Sequence, residues 1–179
     1  MNELKPANRF QEAFGLPVPR ARTKVRGHME EHVVDFIRHS PFAVLATSDG
    51  RGHCDASPRG GMPGFVRAID KRRLLLPDVA GNRLFQSYGN VDDNGHVGLL
   101  FFIPGRDHTV RINGRARSID QTEVETLQTE LSVYWHDDNT KLVQGLLVEV
   151  DEAYGHCPRA LKFSNLWDVE TIEKNRTPR

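Results

Sequence analysis

The sequence predicts a mainly β protein, an antiparallel sheet closed into a barrel with helices at its periphery. Three observations carry this. Strand-like runs follow one another through short turn signals, such as Ser48-Asp49-Gly50-Arg51-Gly52 and Pro104-Gly105-Arg106-Asp107. Helical periodicity is confined to the start, the middle and the end of the chain. Most strand pairs have no crossover helix between them, which a doubly wound parallel sheet would require.

Residues 1 to about 27 contain Pro6, Pro17 and Pro19 and no sustained period, so an arm lying on the surface or on a partner is expected. We place the arm at 1–28, the barrel domain at 29–168 and a tail at 169–179. From Met29 to His39, Met29, Val33, Phe36 and Ile37 share one helical face, and Ser40-Pro41 ends the helix. Phe42 to Thr47 reads as a strand, and His53 to Ser57 as its hairpin return. Pro58-Arg59-Gly60-Gly61-Met62-Pro63-Gly64 is expected to interrupt that return. Phe65 to Ile69 and Arg73 to Leu76 follow as strands around the turn Asp70-Lys71-Arg72.

The loop Pro77-Asp78-Val79-Ala80-Gly81-Asn82-Arg83 then leads into a short helix from Arg83 to Tyr88, with Asn82 as its N-cap. His96 to Ile103 is a long apolar strand. Thr109 to Ser118 is another, with a bulge expected at Asn113-Gly114. Asp120 and Glu123 resemble a capping box for a helix whose face is Val124, Leu127, Leu131 and Tyr134. Leu142 to Val150 is the last strand. A short helix from about Pro158 to Asn165 precedes Leu166-Trp167, and the charged stretch from Glu173 to Arg179 is expected to be loose. The unbroken hydrophobicity of the strands at 97–103 and 142–150 predicts burial on both faces, one facing the barrel interior and one a subunit interface.

The 179 residues suffice for one domain with a real core. Lys plus Arg and Asp plus Glu stand at 24 each, so charge balance implies neither a nucleic-acid nor an acidic-membrane partner. A polar N-terminus and the lack of a long apolar run point to a soluble cytoplasmic protein. Cys54 and Cys157 make no disulfide framework and no Cys-x-x-Cys zinc signal. His28 and His32 stand four apart without a His-Glu-x-x-His pattern, so no metal site is expected.

The loop after Leu74-Leu75-Leu76 is the strongest chemical signal. Gly81 permits a close backbone approach, a helix N-terminus offers free N–H groups, and Arg83 adds a fixed charge with several donors. Those features suit a phosphate. No nucleophile or acid–base triad accompanies them.

Three pieces in order resemble the pyridoxamine 5'-phosphate oxidase-like flavoproteins, which share the FMN-binding split barrel. They are Asp55-Ala56-Ser57-Pro58-Arg59-Gly60-Gly61 with Gly64-Phe65-Val66, then Leu76-Pro77-Asp78-Val79-Ala80-Gly81-Asn82-Arg83, then Val97 to Gly105 leading into Thr109-Val110-Arg111-Ile112-Asn113-Gly114. The resemblance implies FMN, a homodimer with the cofactor at the subunit interface, and a small-molecule substrate. It assigns Gly81, Asn82 and Arg83, with Pro77 and Asp78 before them, to the phosphate loop. Ser57, Arg59 and Gly60 go to the ring or ribityl chain, Thr109 and Arg111 to the lining, and Lys162 and Trp167 to the partner's contribution.

The oxidase proper carries Arg-x-Val-Leu-Leu-Lys and Ser-Arg-Lys where this chain has Ser-Pro-Arg-Gly-Gly and Gly-Asn-Arg, so a vitamin B6 substrate is not implied. An FMN-dependent oxidoreductase is expected. A non-enzymatic flavin sensor is the alternative, with a haem or deazaflavin binder behind it.

Overall fold

A computed structural model describes residues 5–79, 83–127 and 142–176. In chain order the helices are α1 (Arg9–Phe14), α2 (Pro19–Thr23), α3 (Glu31–His39), α4 (Gln86–Asp93), α5 (Gln121–Thr126), α6 (Arg159–Phe163) and α7 (Val169–Arg176). The strands are β1 (Phe42–Ser48), β2 (Cys54–Gly60), β3 (Arg67–Ala68), β4 (Arg73–Val79), β5 (His96–Phe102), β6 (Thr109–Asp120) and β7 (Leu142–His156). They form one antiparallel sheet in the order β2-β1-β5-β6-β7-β4-β3.

The fold is the expected mainly β one, but the sheet is not closed. Its edges, β2 and β3, share no ladder among the described residues. β3 is only two residues long, and β2 carries Pro58, which has no N–H to donate. The expected break at Pro58 does not occur either: β2 runs on to Gly60, because a sheet edge tolerates proline.

The main core gathers Val33, Phe36 and Ile37 of α3, with Met29 just before it, against Leu45, Leu99, Phe101, Ile112 and Val148. Tyr88 and Val91 of α4 complete it. A smaller cluster on the opposite face of the sheet holds Leu75, Ile119, Val124 and Leu147 under α5. This second layer is why Leu74, Leu75 and Leu76 are all buried. The strand at 97–103 differs from expectation. Val97, Leu99 and Phe101 are buried, while Leu100 and Phe102 on the other face are only half-buried within one chain.

The expected bulge at Asn113-Gly114 is present, as a register shift between β6 and β7. It requires glycine, since a Cβ on Gly114 would sit 2.0 Å from the Glu149 carbonyl oxygen. Asp120 caps α5 by accepting the Glu123 N–H at 2.8 Å, while the Glu123 carboxylate pairs with Arg117 instead of returning to the cap. The expected helical residues Leu131 and Tyr134 lie outside the described residues.

The expected arm contains α1 and α2 and meets the sheet where Arg26 bridges to Ala153. Two further expectations are corrected. β7 continues six residues past Val150, to His156. The expected loose segment from Glu173 begins inside α7.

Candidate functional site

Strand register decides where each expected site residue points. Ser57 and Arg59 of β2 pair with Leu45 and Ala43 of β1, both fully buried. Directly paired residues share a face, so Ser57 and Arg59 lie on the core side of the open edge. The end of β4 and the start of α4 meet them there. Together they form a cleft of about 280 Å³ lined by Ser57, Arg59, Asp78, Arg83, Ser87 and Tyr88.

Arg59 spans this cleft. Its Nη2 donates to Ser87 Oγ at 3.1 Å, and its Nη1 lies 3.9 Å from Asp78 Oδ1. Ser87 Oγ in turn donates to Ser57 Oγ at 3.3 Å. Burial pushes the Asp78 carboxyl above its ordinary range. The Arg59 charge and hydrogen bonds from Gln144, Tyr88 and the Val79 N–H oppose that rise.

A second set of contacts fixes α4 against the sheet. Asp55 accepts from Gln86 Nε2 at 2.9 Å and from Asn90 Nδ2 at 2.6 Å, and Asn90 also reaches Thr47 Oγ1 at 3.0 Å. These contacts explain a correction to the sequence reading. The helix begins at Gln86 rather than Arg83, after Phe85 in a left-handed conformation. Side chains of Gln86 and Ser87 tie the first turn to β2, and that tertiary anchoring prevails over local cap preference.

Arg83 therefore sits in the loop at the cleft mouth, with φ 61°, and Phe85 has φ 49°. Two non-glycine residues in the left-handed region within three positions are unusual, and such strain clusters at functional sites. The Arg83 side chain is exposed, and no hydrogen bond or ion pair to the described residues engages it. Gly81 and Asn82, expected beside it, lie outside the described residues.

The other expected residues fall elsewhere. Arg111 of β6 pairs with Leu100 of β5, which pairs with Val44 of β1, which pairs with Pro58 of β2. That row is the outer face of the sheet, opposite the core. Thr109 shares the face by its two-residue spacing from Arg111. Arg111 Nη1 donates to the Tyr154 hydroxyl at 2.9 Å. The C-terminal segment docks beside this group: Lys162 Nζ lies 3.9 Å from Asp107 Oδ2, and Trp167 Nε1 donates to the Arg106 carbonyl at 2.9 Å.

Thus Ser57, Arg59, Asp78 and Arg83 come together on one side. Thr109, Arg111, Lys162 and Trp167 gather near the β5–β6 turn. Gly60 lies on the outer face opposite Phe42, and Pro77 is buried within β4.

The sequence reading missed Ser87, although it lay one helical turn beyond the loop already singled out. It also missed Tyr154 and His156, because β7 was expected to stop at Val150. The outer face between the two groups is apolar. Phe42 and Phe102 pack at a tilt with ring centres 5.9 Å apart, and Val44 and Leu100 lie beside them.

The cleft offers cationic donors, hydroxyls and one carboxylate. That mixture suits a ligand that carries an anionic group together with hydroxyl or N–H donors. An open antiparallel barrel with such a cleft at its seam is a split barrel. The family model described as pyridoxamine 5'-phosphate oxidase matches residues 29–155, and the chain belongs to that family.

Solved structures agree in fold. HupZ of Group A Streptococcus superposes with a TM-score of 0.54 at 18% identity, covering 71% of this chain and 93% of that one. A candidate pyridoxamine 5'-phosphate oxidase from Lactobacillus delbrueckii gives 0.53 at 18% identity, covering 74% and 99%. No curated protein matches the chain significantly. No described helix is long and apolar enough to cross a membrane.

Proposed function

We propose that two copies of this chain hold FMN between them and use it to exchange electrons with a small substrate. One observation carries the reading: the residues expected to touch the cofactor divide between opposite faces of one sheet. A single chain cannot wrap one flavin with both groups. A second copy, laid with its outer face over the cleft, brings Thr109, Arg111, Lys162 and Trp167 to the ligand held by Ser57, Arg59, Asp78 and Arg83. The apolar outer surface around Phe42, Val44, Leu100 and Phe102 supports such a contact, since it is the face that β5 leaves half-buried.

The cleft fits one end of FMN. A phosphate carries nearly two negative charges and needs charge-assisted donors, and among the described residues none engages the donors of Arg83. Arg59 adds positive charge nearby, although Asp78 and Ser87 already engage it. Asp78 supplies an acceptor for ribityl hydroxyls or a ring N–H. About 280 Å³ is just below the usual range for small-molecule sites, so the rest of the flavin requires the partner's surface. Trp167 offers an aromatic plane for that half.

When bound, FMN supplies hydride or single-electron chemistry. The chain's own residues bind it, orient it and exclude water. We place the protein in the cytoplasm, a reading that the free, exposed Cys54 and Cys157 support. Purified protein should be yellow, with about one FMN per chain. Colourless protein that takes up no added FMN would contradict the proposal.

A further inference from the structure

A cluster on the outer face adjoins the proposed flavin contacts and shares Arg111 with them. The N-terminal arm lies along β7: the Arg26 N–H donates to the Ala153 carbonyl at 3.2 Å, and the Ala153 N–H returns to Arg26 at 2.8 Å. This bridge carries Lys24 to the next outward residue. Its Nζ stands 4.8 Å from the Tyr154 ring centre and 3.5 Å from the Gly155 carbonyl oxygen. Arg111 approaches the same ring at 5.5 Å and donates to its hydroxyl. The His156 ring lies 4.9 Å from that of Tyr154. Three nitrogen-bearing side chains from the arm, β6 and β7 thus converge on one tyrosine.

The charge there is unbalanced. Among the described residues no carboxylate pairs with Lys24 or Arg111. The neighbouring acids are engaged elsewhere, Asp107 with Lys162 and Glu152 with Asn113. Burial, reinforced by the Arg111 and Lys24 charges, holds the His156 imidazole below its ordinary pKa. His156 Nε2 is buried and has no hydrogen-bond partner among the described residues. A buried polar atom without a partner costs free energy, and two cations held against one ring repel each other. A water molecule would answer the first need only. An oxyanion answers both, accepting from His156 and Arg111 while neutralising Lys24.

We propose that Lys24, Arg111 and His156 form an oxyanion subsite that takes the carboxylate or phosphate group of the substrate. The inference rests on the flavin reading, which sets Thr109, the register partner of His156, against the partner's cofactor. Such a position suits the anionic end of a substrate whose other end reaches the flavin. Few charges at one spot on a chain of zero net charge do not suit a nucleic acid.

The test uses inorganic phosphate and acetate as probes and the His156 imidazole resonances as the readout, on the protein with and without saturating FMN. A saturable shift of His156 by either anion is expected. Lys24→Ala and Arg111→Ala should each weaken the probe's affinity roughly tenfold, as loss of a charge-assisted contact implies. Arg51→Ala, on the exposed β1–β2 turn, should leave it unchanged. Lys24 is exposed on the arm, so its variant keeps the fold whatever happens at Arg111.

His156 resonances indifferent to both anions would overturn the subsite. So would an affinity that both variants leave intact. FMN fluorescence quenching on the same samples scores the flavin reading separately. FMN bound without an anion response sinks only the subsite. An anion response without FMN binding keeps the site but severs it from a flavin substrate.

Discussion

Arg59 on β2 and Asp78 on β4 stand 3.9 Å apart, although four strands separate them in the order of the sheet. Their side chains are mostly sheltered, at 27% and 22% exposure. The sheet curls until its seam is bridged by side chains rather than by a backbone ladder, and the candidate cofactor cleft lies at that bridge.

Asp78 gives the seam a defined pH response. Its carboxyl ordinarily titrates near 3.8 and is raised in the folded chain, chiefly by burial. Between those two values the folded state binds more protons than the unfolded one. The stability that Asp78 contributes is therefore greatest at low pH and is lost as pH rises through the folded value. Asp78→Asn cannot titrate. Its stability relative to the native chain should increase as pH rises from about 4 to 7, measured by urea unfolding. A difference that is flat or decreasing contradicts the assignment.

Arg83 is exposed and left-handed, so Arg83→Gly removes the charge while suiting the backbone. FMN affinity should fall by about 1.5–3 kcal/mol, the value of a charge-assisted hydrogen bond. The melting temperature of the cofactor-free protein should hold or rise slightly. Unchanged FMN affinity removes Arg83 from the site.

Gly114 has no room for a methyl group, because the Glu149 carbonyl occupies it. Gly114→Ala should destabilise the β6–β7 bulge by about 3 kcal/mol, read as a lower urea midpoint. A midpoint equal to that of the native chain would mean that the bulge yields freely.

Val44 lies on the outer face between Pro58 and Leu100. Val44→Glu should convert a dimer to monomers in sedimentation or light scattering. It should also strip FMN without changing the far-ultraviolet circular dichroism. A variant that stays dimeric places the subunit contact elsewhere.

Much of the fold was legible because periodicity reports burial. Met29, Val33, Phe36 and Ile37 marked α3, and runs bounded by turn signals marked β1 and β6. What failed depended on neighbours distant in sequence. Pro58 read as a break because its edge position is a property of the sheet. Asn82 read as the helix cap because the pull of Asp55 on Gln86 is not local. β7 seemed to end at Val150 because Glu152, Tyr154 and His156 are polar residues on an outward face.

The sequence named candidate residues but not their arrangement. That Arg59 and Arg111 face opposite sides follows from register through Ala43, Val44 and Leu100, which no local pattern discloses. The contact of Lys24 with Tyr154 was hidden by its place in an arm without periodicity.

The proposed shared flavin site is tested most directly by complementation. Arg83→Gly damages the cleft of its own chain, and Trp167→Ala damages the surface offered to the partner. Each homodimer should retain little FMN. A mixed dimer of the two variants keeps one undamaged site, so its flavin absorbance should recover to about half the native content per chain. A mixed dimer as colourless as its parents would contradict a site built from two protomers.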